Sequence, residues 1–241
     1  MINKYPILIL HGWNLDAVKY RPLQIELEEK GYQVYVCDLP GFGSSNISEK
    51  SLFLSDYIDF VERYISKHKL NKVILIGHSF GGRIGIKLAA KKPKYLAALI
   101  LTGTPGINPV PKFKILFFHF LAKVGKAVFF LPVLANARGL FRKFLYKLAD
   151  AGDYYNTKDY MLETFQNTVK ESLIPYLKQI YFPTLLIWGR QDKMVPVEIA
   201  EKMNKLLDNS RLVVVNNSRH GLPWTHPQEF TNEVEKFLNN L

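Results

Sequence analysis

Three residues scattered along the chain are of the types that nucleophilic acyl chemistry needs: Ser79, Asp192 and His220. A serine hydroxyl attacks a carbonyl efficiently when a base takes its proton, and an imidazole does this well when a third group holds it in the right tautomer. Ser79 lies in Gly77-His78-Ser79-Phe80-Gly81, a G-x-S-x-G pattern in which the serine sits at the apex of a sharp strand-to-helix turn. The flanking glycines let neighbouring backbones pass close to it. The residues after the turn read as a helix, whose unpaired N–H groups and positive dipole end would lie beneath an attacked carbonyl. A serine between two glycines also occurs as an ordinary turn, so these five residues alone leave both readings open.

The elements around these residues set where they can meet. Short continuous apolar runs, the pattern of strands buried on both faces of a parallel sheet, occur at residues 5–10, 32–37, 72–76, 95–101, 182–188 and 211–215. Amphipathic or capped stretches between them predict helices. One runs from about Tyr20 to Lys30, with Leu23, Ile25 and Leu27 apolar and Gly31 closing it. A second lies between Ser51 and His68, with Leu52, Leu54, Ile58, Val61 and Ile65 at near-helical spacing. Others follow Ser79, span Val197–Leu207 and begin at Pro227. Six strands alternating with helices predict an α/β fold with a six-stranded, mostly parallel sheet covered on both faces. The polar residues follow strand ends: His11-Gly12 the first, Ser79 the third, Asp192 the fifth and His220 the sixth. Ligands of open α/β sheets bind outside the carboxyl ends of the strands, so these residues fall on one edge.

Composition narrows the chemistry. The chain has 241 residues, an apolar fraction of 48% and an aromatic fraction of 13%, which suit one sizeable folded core with an insertion. Cys37 is the only cysteine and reads as a small core residue, not a nucleophile. The start of the chain lacks the pattern of a secretory leader, and a cytoplasmic protein is expected. The loop Asp38-Leu39-Pro40-Gly41-Phe42-Gly43-Ser44-Ser45 is glycine-rich, but Asn46 breaks G-x-G-x-x-G, and no Walker-type motif occurs. No H-E-x-x-H or paired C-x-x-C suggests a metal, and no cofactor is expected. The net charge of +11 is not accompanied by a nucleic-acid-binding module, so nucleic acid is not expected as a partner.

With Ser79, Asp192 and His220 in that chain order, the sequence resembles the α/β-hydrolase superfamily over nearly its whole length. The resemblance is carried by His11-Gly12-Trp13, the Asp38–Ser45 loop, Gly77-His78-Ser79-Phe80-Gly81-Gly82, Trp188-Gly189-Arg190-Gln191-Asp192-Lys193-Met194-Val195-Pro196 and His220-Gly221. It implies Ser79 as nucleophile, His220 as general base and then acid, and Asp192 as the group that orients the imidazole. It further implies an oxyanion hole built from the backbone N–H groups of Trp13 and Phe80, and a substrate pocket with Trp13, His78 and Leu222 as candidates. Two departures stand out. The family's first two strands before the His-Gly turn are missing, and Trp13 places a bulky ring where many relatives have glycine, which would narrow or cap the acyl pocket. His11 is expected to tie the oxyanion loop structurally, His78 to pack in the elbow and His226 to cap the last helix. His68 and His119 have no partner evident in sequence.

Residues 104–181 separate the fourth strand from the fifth by far more than a loop and one helix require. In the resembling enzymes this stretch is a helical cap. The expected organisation is therefore a core of residues 1–103 and 182–241 with a cap of residues 104–181. Between Pro105 and Ala149 there is no acidic residue, whereas Lys112, Lys114, Lys123, Lys126, Arg138, Arg142, Lys143 and Lys147 are basic, interleaved with a phenylalanine-rich run. Lysines interrupt every window long enough to span a bilayer. The plain reading is an amphipathic cap with solvated lysines. The alternatives are docking to an anionic membrane or micelle surface and docking to an acidic carrier protein. The second alternative gains from similarity to the pimeloyl-acyl-carrier-protein methyl ester esterase family, which shares the His-Gly-Trp, Asp-Leu-Pro-Gly-Phe-Gly and Trp-Gly-Arg-x-Asp stretches.

The expected activity is that of a serine carboxylic ester hydrolase on small to medium acyl esters or lactones. Acyl-carrier methyl ester hydrolysis, C–C bond hydrolysis and acyl transfer use the same three residues and remain alternatives. Serine at the elbow disfavours aspartate-nucleophile dehalogenases and epoxide hydrolases, and a retained triad disfavours a non-catalytic binding protein.

Overall fold

The computed structural model describes residues 4–45, 50–107 and 159–241. The chain divides into two compact units, one comprising Met1–Ser48, Phe53–Ile107 and Ser172–Leu241, the other Glu49–Leu52 and Asn108–Glu171. The basic residues Lys112 to Lys147, and His119, lie outside the described residues.

The first unit is built on a six-stranded sheet. Its strands are β1 (Ile7–Leu10), β2 (Val34–Cys37), β3 (Val73–His78), β4 (Leu96–Thr102), β5 (Thr184–Gly189) and β6 (Ser210–Val215), in the spatial order β2-β1-β3-β4-β5-β6. Every pairing is parallel, where the sequence predicts a mostly parallel sheet. The central strands β1, β3 and β5 are buried at every position, as continuous apolar runs require when both faces are covered. The edge strands β2 and β6 are only partly buried.

Helices cover both faces because alternate side chains of each strand point to opposite sides. Ile7, Ile9, Ile74, Ile76, Ile100 and Ile187 share one apolar cluster with Leu23 and Leu27 of α1 (Arg21–Glu29) and with Phe230, Val234 and Phe237 of the closing helix (Pro227–Leu238). On the other face, α3 (Phe80–Ala90) lies against Leu75, Leu99 and Leu101. It is flanked by α2 (Leu54–Lys67), whose buried Leu54, Ile58, Val61 and Ile65 follow a 4-3-4 spacing. The Asp56 carboxylate accepts the Phe53 N–H at 2.7 Å, which starts α2 two residues later than Leu52. Ile25, apolar like Leu23 and Leu27, is nevertheless 40% exposed. Two positions along a helix is a rotation of about 200°, which carries Ile25 to the solvent side.

In the second unit, α4 (Asp159–Lys170) carries buried Thr164, which accepts the Leu52 N–H at 2.9 Å and donates to the Tyr160 carbonyl at 2.7 Å. Back in the first unit follow α5 (Ile174–Leu177), α6 (Val197–Leu206) and a single turn, α7 (Leu222–Thr225), that the sequence pattern does not announce, before α8 (Pro227–Leu238). His226 stands at the start of α8 without a side-chain cap; its Nδ1 pairs instead with the Thr225 hydroxyl at 2.8 Å. Among the described residues no helix is long and apolar enough to cross a membrane.

Candidate active site

Ser79 follows the last residue of β3 and precedes the first of α3, with φ 51° and ψ −111°. This conformation is costly for a residue with a side chain, by roughly 1–3 kcal/mol, and persists only where the surroundings over-determine it. Here the Ser79 N–H donates to the last carbonyl of β4, Thr102, at 2.9 Å, while the Ser79 carbonyl accepts from Gly82 and Arg83 in the first turn of α3. The Gly81 N–H donates to the His11 carbonyl at 3.0 Å, and a side chain at Gly81 would collide with the Leu10 carbonyl. Position 81 therefore admits only glycine, and the close pass of β1 against the elbow is what forces it. Phe80, the first residue of α3, carries an amide with no acceptor inside the helix.

Asp192 sits in the turn after β5 and is buried, where a carboxylate in an ordinary surface turn would be solvated. Its Oδ1 accepts the N–H groups of Met194 and Val195, both at 2.9 Å, and its Oδ2 accepts from Nδ1 of His220 at 2.8 Å. The buried indole of Trp188 donates to the Val195 carbonyl at 2.9 Å and so anchors the loop that supplies those amides. Because a carboxylate only accepts, Nδ1 of His220 carries the hydrogen and Nε2 keeps its lone pair. The imidazole packs over the end of β4, so that a side-chain carbon at Gly103 would come within 2.8 Å of its Cε1. Thr102, which holds the Ser79 N–H, is the residue just before Gly103. The chain thus brings the loops after β3, β4, β5 and β6 together at the carboxyl edge of the sheet.

The loop after β1 completes that edge. His11 is fully buried, accepts the Leu39 N–H at Nε2 (2.9 Å) and donates from Nδ1 to the Gly12 carbonyl (2.8 Å). Burial holds its pKa below the ordinary value, against the opposing pull of the Gly12 carbonyl and of Asp38 and Asp16. It is a neutral tie between two loops, as the sequence leads one to expect. The Trp13 ring meets Phe42 at 4.9 Å and Phe80 at 5.2 Å, both edge to face, and Tyr57 meets Phe80 at 4.9 Å. The side chains of the two expected oxyanion residues therefore pack directly on one another. The Asp38 carboxylate braces the neighbouring loop by accepting from the Ala17 amide, the Ser44 amide and the Ser44 hydroxyl. Burial works to raise its pKa, but these hydrogen bonds prevail and hold it low.

Two of the expected pocket residues lie elsewhere. Leu222 is fully buried in the apolar cluster beneath α8, and His78 is fully buried behind the His220 loop, in contact with the rings of Tyr20, Trp224 and His220. Neither has exposed surface, whereas Trp13 is half-buried. Tyr20 escaped the sequence reading because it looks like one more apolar position at the head of α1. Trp188 stands in a motif of the resemblance, but its anchoring role does not show there because an indole at the end of a buried strand reads as core. Cys37 is buried and its thiol is pushed up to about 12, consistent with an inert core residue. Among the described residues no group of three or more His, Cys, Asp or Glu side chains could hold a metal ion.

Comparison with known proteins bears on the fold and the family. The family model described as alpha/beta hydrolase fold matches residues 5–227. A 2-hydroxy-6-oxononadienedioate/2-hydroxy-6-oxononatrienedioate hydrolase of Pseudomonas putida is 25% identical over 261 residues, covering 99% of this chain and 89% of its own. Among solved structures, a bromoperoxidase from Bacillus anthracis superposes with a TM-score of 0.77 at 21% identity, covering 98% of this chain and 92% of its own. An esterase from Exiguobacterium antarcticum does so with a TM-score of 0.76 at 21% identity, covering 99% and 93%.

Proposed function

The chain belongs to the alpha/beta hydrolase family, and on that premise we propose that it hydrolyses carboxylic esters through an acyl-enzyme on Ser79. The Ser79 Oγ attacks the ester carbonyl carbon as Nε2 of His220 takes its proton, and the carbonyl π pair moves onto oxygen. The resulting oxyanion is received by the Phe80 and Trp13 amides, beside the positive end of α3. Collapse expels the alkoxide, which takes the proton from His220. Water then attacks the acyl-serine with His220 again as base, and the carboxylic acid leaves as Ser79 recovers its proton. Throughout, Asp192 holds the imidazole and offsets the charge of the imidazolium.

The observation that most favours this reading is the Asp192–His220 pair. A carboxylate buried to 1% side-chain exposure, its other oxygen filled by two amides, has no role in packing that an apolar residue would not fill better. With Nδ1 committed to Asp192 the lone pair falls on Nε2 of His220, whose ring lies beside Gly103, the residue after the β4 carbonyl that accepts the Ser79 N–H. The aromatic wall of Trp13, Phe42 and Phe80 favours short to medium acyl groups. A second reading, hydrolysis of a carbon–carbon bond beside a ketone, is favoured by the name of the Pseudomonas putida relative, and the same three residues would serve it.

Incubation with a fluorophosphonate probe tests the core of the proposal. Wild-type protein should be labelled covalently and the Ser79→Ala variant should not; labelling that persists in the variant overturns the assignment. A panel of p-nitrophenyl esters beside a 2-hydroxy-6-oxodienoate then decides between the two bond types.

A further inference from the structure

A buried chain of hydrogen bonds runs behind the site and joins three of its loops. The Gly12 N–H donates to the Tyr20 hydroxyl oxygen at 2.9 Å. The Tyr20 hydroxyl lies 2.6 Å from Nδ1 of His78, and Nε2 of His78 lies 3.0 Å from the main-chain carbonyl oxygen of His220. Both ends are backbone groups of fixed polarity, a donor at Gly12 and an acceptor at His220, so every hydrogen between them is assigned. The His220 carbonyl only accepts, hence Nε2 of His78 carries the hydrogen. Nδ1 is then an acceptor, and the Tyr20 hydroxyl donates to it. Tyr20 and His78 have no exposed surface, and Trp224 packs edge to face on both rings, at 5.6 and 5.3 Å.

The placement of the ends gives the chain its meaning. Gly12 precedes Trp13, whose amide is the second proposed oxyanion donor. His78 precedes Ser79. The His220 loop follows β6, the edge strand on the far side of β4 and β5 from β3. β6 reaches β3 and β1 only through the ladders of β4 and β5, and the relay is a direct tie between the loops that carry the base and the oxyanion amide. Nothing in the acyl-transfer chemistry calls on His78 or Tyr20 themselves. Burial lowers the His78 pKa well below the ordinary value and raises that of Tyr20, so neither competes with His220 for the travelling proton.

We propose that Tyr20 and His78 are positioning residues, and that the relay from the Gly12 N–H through both side chains to the His220 carbonyl holds the oxyanion amide and the base at a set distance from each other. The inference rests on the ester-hydrolase reading above. It predicts a loss in turnover, not in ground-state binding, because the relay acts on groups that engage the transition state. Misplacement of reacting groups by about 1 Å can cost ~10²-fold.

The test uses Tyr20→Phe, His78→Leu and His78→Gln in the full chain, with p-nitrophenyl acetate as substrate and active sites counted by fluorophosphonate titration. Turnover is then expressed per labelled serine, which removes misfolded protein from the comparison. His78→Leu should lower kcat per site by roughly 10²-fold with KM within about twofold of wild type. Tyr20→Phe, which removes one hydroxyl, should lower it about tenfold, the consequence of ~1.4 kcal/mol at the transition state. His78→Gln should recover most of the loss, since a carboxamide can accept from Tyr20 at its oxygen and donate to the His220 carbonyl from its nitrogen. Wild-type turnover per site in His78→Leu, or in Tyr20→Phe should His78→Leu fail to fold, overturns the relay. A His78→Gln protein as slow as His78→Leu does the same. Absence of labelling in the wild-type protein would instead defeat the ester-hydrolase reading and is visible before any variant is made.

Discussion

Replacing Asp192 by Asn changes one atom and, by the geometry of this site, reverses a tautomer. Oδ1 of Asp192 faces two amide donors, Met194 and Val195, at 2.9 Å each. An asparagine must place its carbonyl oxygen there, because its NH2 would oppose two N–H groups. The NH2 is thereby forced into the place of Oδ2, 2.8 Å from Nδ1 of His220. It can only donate, so Nδ1 must become the acceptor and the hydrogen moves to Nε2, the atom that has to receive the Ser79 proton. The wrong-tautomer effect in a serine triad costs about 10⁴ in kcat, or ~5 kcal/mol of barrier. Folding should barely notice, since both amide bonds to Oδ1 survive. Asp192→Ala is the control. It leaves the buried Val195 amide unpaired and should cost about 1–3 kcal/mol of stability, the Met194 amide being only part-buried. Stopped-assay kcat on p-nitrophenyl acetate, urea unfolding and the ¹⁵N signals of His220 together decide the matter. An Asp192→Asn protein that folds normally and retains kcat within tenfold of wild type would refute the tautomer argument, as would ¹⁵N shifts that still place the hydrogen on Nδ1.

Two further outcomes are expected. His11 and His78 are both held below the ordinary histidine pKa by burial, so below about pH 6.5 the unfolded chain binds protons that the folded chain refuses. Stability should therefore be fully present above that pH and fall on acidification, by up to about 1.4 kcal/mol per pH unit for each histidine, until the depressed folded pKa is reached. His78→Gln should flatten the fall measured by urea titration between pH 7 and 5, and an unchanged slope would contradict the assignment of His78 as neutral. Trp188→Phe removes the indole donor to the Val195 carbonyl and should destabilise the protein by about 1–3 kcal/mol while lowering kcat per labelled serine roughly tenfold, as the Asp192 loop loosens. Normal turnover per site in that variant would show that Asp192 is held without Trp188.

The sheet was legible in the sequence because a strand buried on both faces announces itself locally. Ile7-Leu8-Ile9-Leu10, Val73-Ile74-Leu75-Ile76 and Leu185-Leu186-Ile187-Trp188 are apolar at every position, and the turns that follow them carry His11, Ser79 and Asp192. The elbow was legible as the local pattern G-x-S-x-G, although the reason for Gly81, the close pass of the Leu10 backbone at the end of β1, is tertiary. Spacing along a single helix likewise carries α2, whereas apolar identity without its helical angle misplaces Ile25.

What only the tertiary structure decided is which distant polar atoms pair. Tyr20 and His78 stand 58 positions apart and carry no shared pattern, and nothing about Leu222 distinguishes a pocket wall from a core residue until the short turn of α7 rolls it under α8. Amino-acid type and period encode how a segment prefers to be buried. The direction of a hydrogen bond between segments depends on sheet twist and loop path, and these are settled only when all six strands are in place.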